Sequence, residues 1–341
     1  MFRETISKPK QQSSMVNSNL WGIVLAGGEG NRLKNLVKRL YGYHRPKQYC
    51  TLTGKQSLLR QTLNRASKII PGNKILTVVS GHHSEYYKEE LSDQQENAVI
   101  VQPCPRDTSA GVLLPVAKIY QSDPDSTVVI FPSDHYIRGE DKFMTHVKEA
   151  CLFVERNPEF IVMVGVRPDR IETGLGWMER GEKVPSQNNL NFYQVRKFWE
   201  KPDLRLTTSL YSSGCLVNTF IVVGKSRTLI TQMEKRLPQL IEAFTPIMKS
   251  LGTKYEKIAI EQFFEFIPKV NFSKDFLEKT CNHLAVLEVP GLYWSDWGEE
   301  QRVTYDMKRF HLSFTHKVDD QRKPVERSYR LTARHLDSNA I

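Results

Sequence analysis

The chain has 341 residues and a formal net charge of +10, with 40% hydrophobic and 25% charged residues, an ordinary globular composition that can bury one large or two medium cores. No apolar run approaches the roughly 20 residues that span a bilayer, and the polar N-terminus lacks the apolar centre of a signal peptide. The five cysteines (Cys50, Cys104, Cys151, Cys215 and Cys281) are scattered without a CxxC or Cys/His cluster, which argues against a disulfide framework or a zinc site and for reduced thiols in a cytoplasmic protein with no membrane partner.

Residues 1–19 read as a disordered lead-in. WGIVLA (21–26) is an apolar run of the buried parallel-strand type, closed by Gly27-Gly28 and followed by a polar, basic loop. Ser57 to Ile70 has helical periodicity and stops at Pro71-Gly72. Strands are predicted at 74–80, 98–102, 127–132 and 160–166, separated by helices at 84–91, 108–120 and 143–156. This alternation predicts an α/β domain with a doubly wound, mostly parallel sheet. Beyond it, FYQVRKFWE (192–200) alternates like an antiparallel strand, and LVNTFIVVG (216–224) and LAVLEVP (284–290) are further strands. Helical patterns fill 226–250, 256–266 and 298–309, and residues 312–341 read as a tail. No hexapeptide repeat of a β-helix is present.

Charge is unevenly spread. From Gly30 to Ser84 there is no Asp or Glu, while Arg32, Lys34, Lys38, Arg39, Arg45, Lys47, Lys55, Arg60, Arg65, Lys68 and Lys74 all fall there. Such a field suits a phosphate, a nucleotide or a nucleic acid, and a solvated basic face would look the same. Nucleic acid is disfavoured because aromatics do not interleave with the cluster and no reader motif occurs.

Four segments carry chemistry. LAGGEGNRL (25–33) places glycines after the first strand, where backbone N–H groups can approach an anion. It is not a dinucleotide fingerprint, because Leu33 stands at the third glycine and no acid follows about 20 positions on; nor is it a P-loop. Arg45-Pro46-Lys47-Gln48 offers a lysine to a triphosphate, or an exposed turn. Ser133-Asp134-His135 ends an apolar strand, where a carboxylate can hold a divalent metal against phosphates or merely make a turn. Asp296 in YWSDWG could be a second metal ligand or a helix cap.

With these pieces in place, the chain resembles the sugar-1-phosphate nucleotidyltransferases, most closely the bacterial mannose-1-phosphate guanylyltransferases. Nine pieces occur in the family's order between Leu20 and Met307: LAGGEGNRL, RPKQYCTL, QPCPRDTSAG, FPSDHYI, ETGLGWMERG, VRKFWEKPD, LVNTFIV, DFLEK and YWSDWGE. The resemblance implies a nucleotide-diphospho-sugar transferase fold over 20–311, with a nucleotide-binding half (20–166) and an antiparallel sugar-phosphate half (167–311). It implies GMP transfer from GTP to mannose 1-phosphate with Mg²⁺ on Asp134 and Asp296. It puts Leu25, Ala26, Gly27, Gly28, Gly30, Arg32, Lys47, Gln102, Pro103, Arg106, Asp107 and Thr108 on the nucleotide. It puts Glu172, Thr173, Gly174, Gly176, Glu200, Lys201 and Asn218 on the sugar phosphate, and names Arg32, Lys47, Asp134 and Asp296 as catalytic. Another sugar 1-phosphate, such as a heptose or glucose ester, another nucleotide, a non-catalytic nucleotide-sugar-binding subunit and a homodimer are left open. Three departures stand out: Glu29 in the glycine loop, Gln102 where the family has glutamate, and Phe220 where it has glycine.

Overall fold

The apolar runs assemble into one mixed nine-stranded sheet in the computed structural model, which describes residues 19–186, 188 and 190–316. The lead-in up to residue 18 and the tail from 317 lie outside the described residues. Among the described residues no helix is long and apolar enough to cross a membrane.

The first half contains β1 (Leu20–Ala26), α1 (Lys34–Tyr41), α2 (Leu58–Ala66), β2 (Ile75–Ser80), α3 (Ser84–Glu90), β3 (Val99–Gln102), α4 (Asp107–Ser122), β4 (Thr127–Pro132), β5 (Tyr136–Arg138), α5 (Glu140–Arg156) and β6 (Ile161–Val166). The second contains β7 (Gly176–Lys183), β8 (Phe192–Glu200), α6 (Leu204–Ser212), β9 (Leu216–Lys225), α7 (Ser226–Arg236), α8 (Pro238–Ser250), α9 (Glu256–Phe263), β10 (Leu284–Glu288), β11 (Tyr293–Ser295) and α10 (Glu300–Arg309). The sheet order is β3-β2-β1-β4-β9-β6-β10-β8-β7. β8 and β9 run against the other seven strands, and β7 pairs again with the start of β9 (Trp177↔Val217), so the second half rolls back on itself. β5 and β11 form a separate two-stranded ladder. The fold is thus the α/β class expected from the alternation, with β9 inserted antiparallel at its centre.

Side-chain alternation explains the layers. On β1, Leu20, Val24 and Ala26 face α2 and α5, meeting Leu59, Leu63, Phe143 and Val147. Ile23 points the other way, into a core shared with Val112, Leu113 and Val116 of α4 and Leu229 of α7. β4 splits likewise, Val129 and Phe131 to one face and Val128 and Ile130 to the other. Strands buried on both faces must be apolar throughout, which is why these runs read as continuous rather than alternating.

Several elements differ from the sequence reading, each for a local reason. The basic loop after β1 contains α1: Leu36 and Val37 are buried among its charges, and Gly42 ends it in the left-handed region. The pattern over 226–250 is two helices, because Pro238 opens α8 and the preceding Leu237 is driven out of helical geometry. β5 and β11, three residues each, are too short for periodicity to register. α6 and β7 are further elements beyond those the periodicity predicts; Asp203 caps α6 by accepting from Leu206 N.

A third, smaller core fixes the loops of the site. Leu33, Leu36 and Val37 pack with Cys50, Leu52 and Leu58, and with Trp297, Val303 and Met307 around α10. Leu312 and Phe314 lean on this cluster, and Thr315 donates to the Gly54 carbonyl. Phe131 sits fully buried three residues before Asp134. Phe131→Ala is expected to cost about 3–5 kcal/mol, read as a lower urea midpoint at unchanged slope.

Candidate active site

β1, β2, β3 and β4 are parallel, so their carboxyl ends share one edge of the sheet. A cavity of about 390 Å³ opens there, lined by Leu25, Gly27, Gly28, Glu29, Gln102, Arg106, Asp107, Thr108, Asp134 and Phe220 among others. The glycine loop is held from below. Gln48 Nε2 donates to the carbonyls of Ala26 (2.9 Å) and Gly28 (2.8 Å), and Ser133 Oγ donates to that of Leu25 (2.7 Å). Gly30 has φ 65°, and a Cβ there would lie 2.6 Å from Lys47 N, so only glycine lets the loop rest on that backbone.

Lys47 is the centre of the site. Its side chain is 4% exposed, and its Nζ lies 2.8 Å from Asp134 Oδ2, 2.6 Å from the Asp296 carbonyl and 3.2 Å from the Trp297 carbonyl. Those three acceptors match the three donors of an ammonium. The β5–β11 ladder pairs Ser295 with Tyr136, which carries the two aspartate loops to the same place. Arg32 approaches Asp296 Oδ2 at 3.4 Å. A Cβ on Gly298 would fall 2.3 Å from Asp296 Oδ2 and 2.6 Å from Arg32 Nη1, so the close approach again requires glycine.

The charges balance locally. Burial pushes the Asp134 carboxyl up, but Lys47, His135 and Arg32 outweigh it and hold it below the usual carboxylate range. Burial, helped by Lys47, drives His135 down to about 4 against the pull of Asp134 and Asp296. His135 is therefore neutral at pH 7. Its Nδ1 accepts from Trp294 Nε1 at 3.3 Å, which puts the ring proton on Nε2, 3.6 Å from Asp134 Oδ1.

Asp134 and Asp296 offer the hard oxygen donors that a divalent cation takes. The Asp134 carboxylate is kept ionised beside Lys47, whose Nζ also meets the Asp296 backbone carbonyl, and hard cations take carboxylate oxygens together with substrate phosphates. Among the described residues no three His, Cys, Asp or Glu converge into an all-protein cage, which is the arrangement zinc would want.

The sugar-side residues named from sequence lie on the β7–β8 ladder, in the segment before β7 and at the start of β9. Gly176 pairs with Glu200 across β7 and β8, and a Cβ on Gly176 would lie 3.0 Å from Glu200 Oε2. Lys201 Nζ is 3.6 Å from Glu200 Oε1, and its backbone N donates to Leu175 O. Burial raises the Glu200 pKa, Lys201 being the main opposing influence. Glu172 is drawn toward Arg302 (3.5 Å) and Arg170 (3.8 Å), and Gly174 lies beside Arg32. Asn218 pairs with Gly165 at the start of β9, and its Oδ1 accepts from Phe220 N at 2.9 Å.

Some named residues sit elsewhere. Pro103 faces an outer groove with Val101, and Pro105 takes the place in the cavity wall. Ala26 contributes its carbonyl to Gln48 rather than a cavity surface. Arg106 stays in the cavity wall, but its guanidinium turns to the carbonyls of Phe264 and Glu265. Glu29 faces His83 Nε2 at 3.5 Å. Gln48, His135, Trp294 and Arg302 have no role in the sequence reading; the RPKQ and SDH segments were the available signals. Four residues at the site hold left-handed backbone without being glycine: Asp107 (φ 61°), Lys201 (φ 50°), Phe220 (φ 59°) and Trp297 (φ 42°).

Lys47→Met removes the main counter-charge of Asp134, so the Asp134 titration should move upward, as followed by carboxyl-carbon NMR. A depressed carboxyl stabilises the fold above the ordinary carboxylate range, and that contribution is lost as pH falls through the depressed value. The variant should lack this contribution and lose about 1–3 kcal/mol at neutral pH, with carbonyls left unpaired. An unmoved titration would mean that the pair does not form.

Known proteins resemble the chain over most of its length. The family model for nucleotidyl transferases matches residues 21–308. A mannose-1-phosphate guanylyltransferase of Escherichia coli K12 is 27% identical over 290 residues, covering 83% of this chain and 59% of the relative. Mannose-1-phosphate guanylyltransferase 2 of Escherichia coli O157:H7 is 30% identical over 300 residues, covering 85% and 60%. The chain thus spans about three-fifths of the length of these curated relatives. Among solved structures, one described as a mannose-1-phosphate geranyltransferase from Thermus thermophilus superposes with TM-score 0.69 at 23% identity, covering 84% of this chain and 79% of that one. A Helicobacter pylori structure described as a mannose-6-phosphate isomerase gives 0.62 at 20%, covering 81% and 99%. At such identities the structures speak for the fold alone, whereas the family match runs through both aspartate loops and nearly the whole described chain: the chain belongs to the nucleotidyl transferase family.

Proposed function

We propose that the protein transfers GMP from GTP to mannose 1-phosphate, releasing pyrophosphate and giving GDP-mannose. The observation that carries the reading is the buried Lys47 ammonium joining Asp134 to the Asp296 loop at the mouth of a glycine-walled cavity. The curated relatives named for this reaction support the substrate pair.

The nucleophile is a phosphate oxygen of the sugar ester, already anionic near neutral pH, so no general base is needed. The obstacle is bringing anions together in line, which positive charge and positioning overcome. The backbone of Gly27, Gly28 and Gly30, clamped by Gln48, borders the triphosphate. Arg32 stands 57% exposed beside Asp296 and Gly174, placed to meet the phosphates of both substrates. Lys47 keeps the two aspartate loops together. Magnesium, when held by Asp134 and Asp296, supplies charge neutralisation on the phosphates. Glu200 and Asn218 take sugar hydroxyls, and Lys201 the sugar phosphate. Phe220 borders the same cavity as the glycine loop, where a glycine would leave room.

The test is pyrophosphate release over a grid of nucleoside triphosphates against sugar 1-phosphates. GTP with mannose 1-phosphate should give the highest kcat/KM; a higher value with glucose or heptose 1-phosphate would overturn the substrate assignment. Asp134→Ala and Asp296→Ala should each nearly abolish release with the circular dichroism spectrum unchanged.

Lys201→Ala should raise the KM for the sugar phosphate about tenfold to a hundredfold, from one charge-assisted bond of roughly 1.5–3 kcal/mol, and leave that for GTP nearly unchanged. Without the lysine the Glu200 carboxyl rises further, so the acidic limb of kcat/KM for the sugar phosphate should move to higher pH. A shift confined to the GTP constant would remove Lys201 from this role.

A further inference from the structure

The segment after Val270 touches both sides of the site. Phe272–Leu277 forms a single π-helical turn, capped by Asn271, whose Oδ1 accepts from Lys274 N at 2.9 Å. Such turns are rare and recur at functional sites. At its near end, Ser109 N donates to the Val270 carbonyl (3.1 Å) and Phe272 N to Thr108 Oγ1 (2.8 Å). Asn271 Nδ2 reaches Asp107 Oδ1 at 3.4 Å. These contacts hold the mouth of α4, which borders the nucleotide cavity. In the middle, the buried Phe272 ring lies 5.9 Å from that of Phe220. At the far end the Glu278 carboxylate accepts the backbone N–H of Glu200, next to the left-handed Lys201. The Ser273 hydroxyl faces the Glu200 carboxylate as well. Setting Glu278 beside Glu200 costs like-charge repulsion, so a brace made this way is held for its geometry.

We propose, on the reading that the site holds a nucleotide and a sugar phosphate, that Asn271–Glu278 is a positioning strap that fixes one substrate side relative to the other. Asn271 and Glu278 are its positioning residues. Ordering of Asp107–Ser109 by a bound nucleotide then stiffens Glu200–Lys201 through the strap, and each ligand favours the other.

The test measures the Kd of a non-transferable GTP analogue with Mg²⁺, with and without saturating mannose 1-phosphate. The unmodified protein should show about fivefold tightening or more. Glu278→Ala and Asn271→Ala should each reduce it below about twofold, and Glu278→Gln, whose amide oxygen still accepts the Glu200 N–H, should largely restore it. Unchanged coupling in the alanine variants, or none in the parent, overturns the strap. Hydrogen exchange on the full chain without ligand decides the same point independently. Glu278→Ala should accelerate exchange at Thr108 and Ser109 as well as at Glu200, and acceleration confined to Glu200 overturns the proposal. Should that variant not fold, Asn271→Ala read at the Glu200 amide serves instead. If the parent binds neither ligand, the proposed function fails while the exchange result still judges the strap.

Discussion

One ammonium group organises this site. Lys47 is almost fully buried and satisfies its three donors on Asp134, Asp296 and Trp297, residues from two loops far apart in the chain. A buried lysine is tolerated only when each donor is met and its charge is balanced, so the position dictates its surroundings. Gly30 must lack a side chain so that the glycine loop can lie on the Lys47 backbone. Gln48, next in sequence, then ties the same loop through two carbonyls. Pro46 sets the extended approach from which a short 3₁₀ turn aims the lysine inward. Four residues thereby connect the anion loop to both aspartates.

The sheet supplies the frame in which that connection is repeatable. In central strands buried on both faces, register is held by the close fit of unlike apolar side chains against the helices on each side. The edge where β1 to β4 end is consequently fixed, and the loops leaving it inherit its position. The small core around Trp297 extends the frame outward. Trp297 stacks on Tyr136 with ring centroids 4.5 Å apart, and its Nε1 donates to the fully buried Asp306 carboxylate at 2.9 Å. The loop bearing Asp296 is therefore anchored by packing on one side and by Lys47 on the other.

Much of this is legible in the amino-acid sequence. WGIVLA, TVVIFP and IVMVGV announce buried strands because they are almost wholly apolar, and the alternation with helices announces the layers. Asp134 is recognisable as a strand-end carboxylate. What cannot be read has identifiable causes. Lys47 is legible as a lysine for a triphosphate or an exposed turn, but its burial on protein acceptors is not, since nothing in its neighbours reveals the carbonyls that bury it. The β5–β11 ladder is only three residues deep, and its pairing partners are more than 150 residues apart. α1 hides because its two buried residues, Leu36 and Val37, are adjacent and flanked by polar and basic ones. The turn of Arg106 toward Phe264 and Glu265 depends on where α9 ends, which local periodicity does not fix.

The four non-glycine residues of the site in left-handed backbone bear on how this protein could change. An L-residue in that region costs roughly 1–2 kcal/mol, which glycine largely avoids. Asp107 and Lys201, the two exposed ones, are thus places where a random search for heat resistance would find easy gains by installing glycine or asparagine, whereas Trp297 is fully buried and its packing outweighs the strain. Each gain would also erase a side chain, Asp107 from the cavity wall or Lys201 from beside Glu200. Thermal robustness and catalytic competence draw on the same few dihedral angles here, so a lineage selected for one alone would drift away from the other.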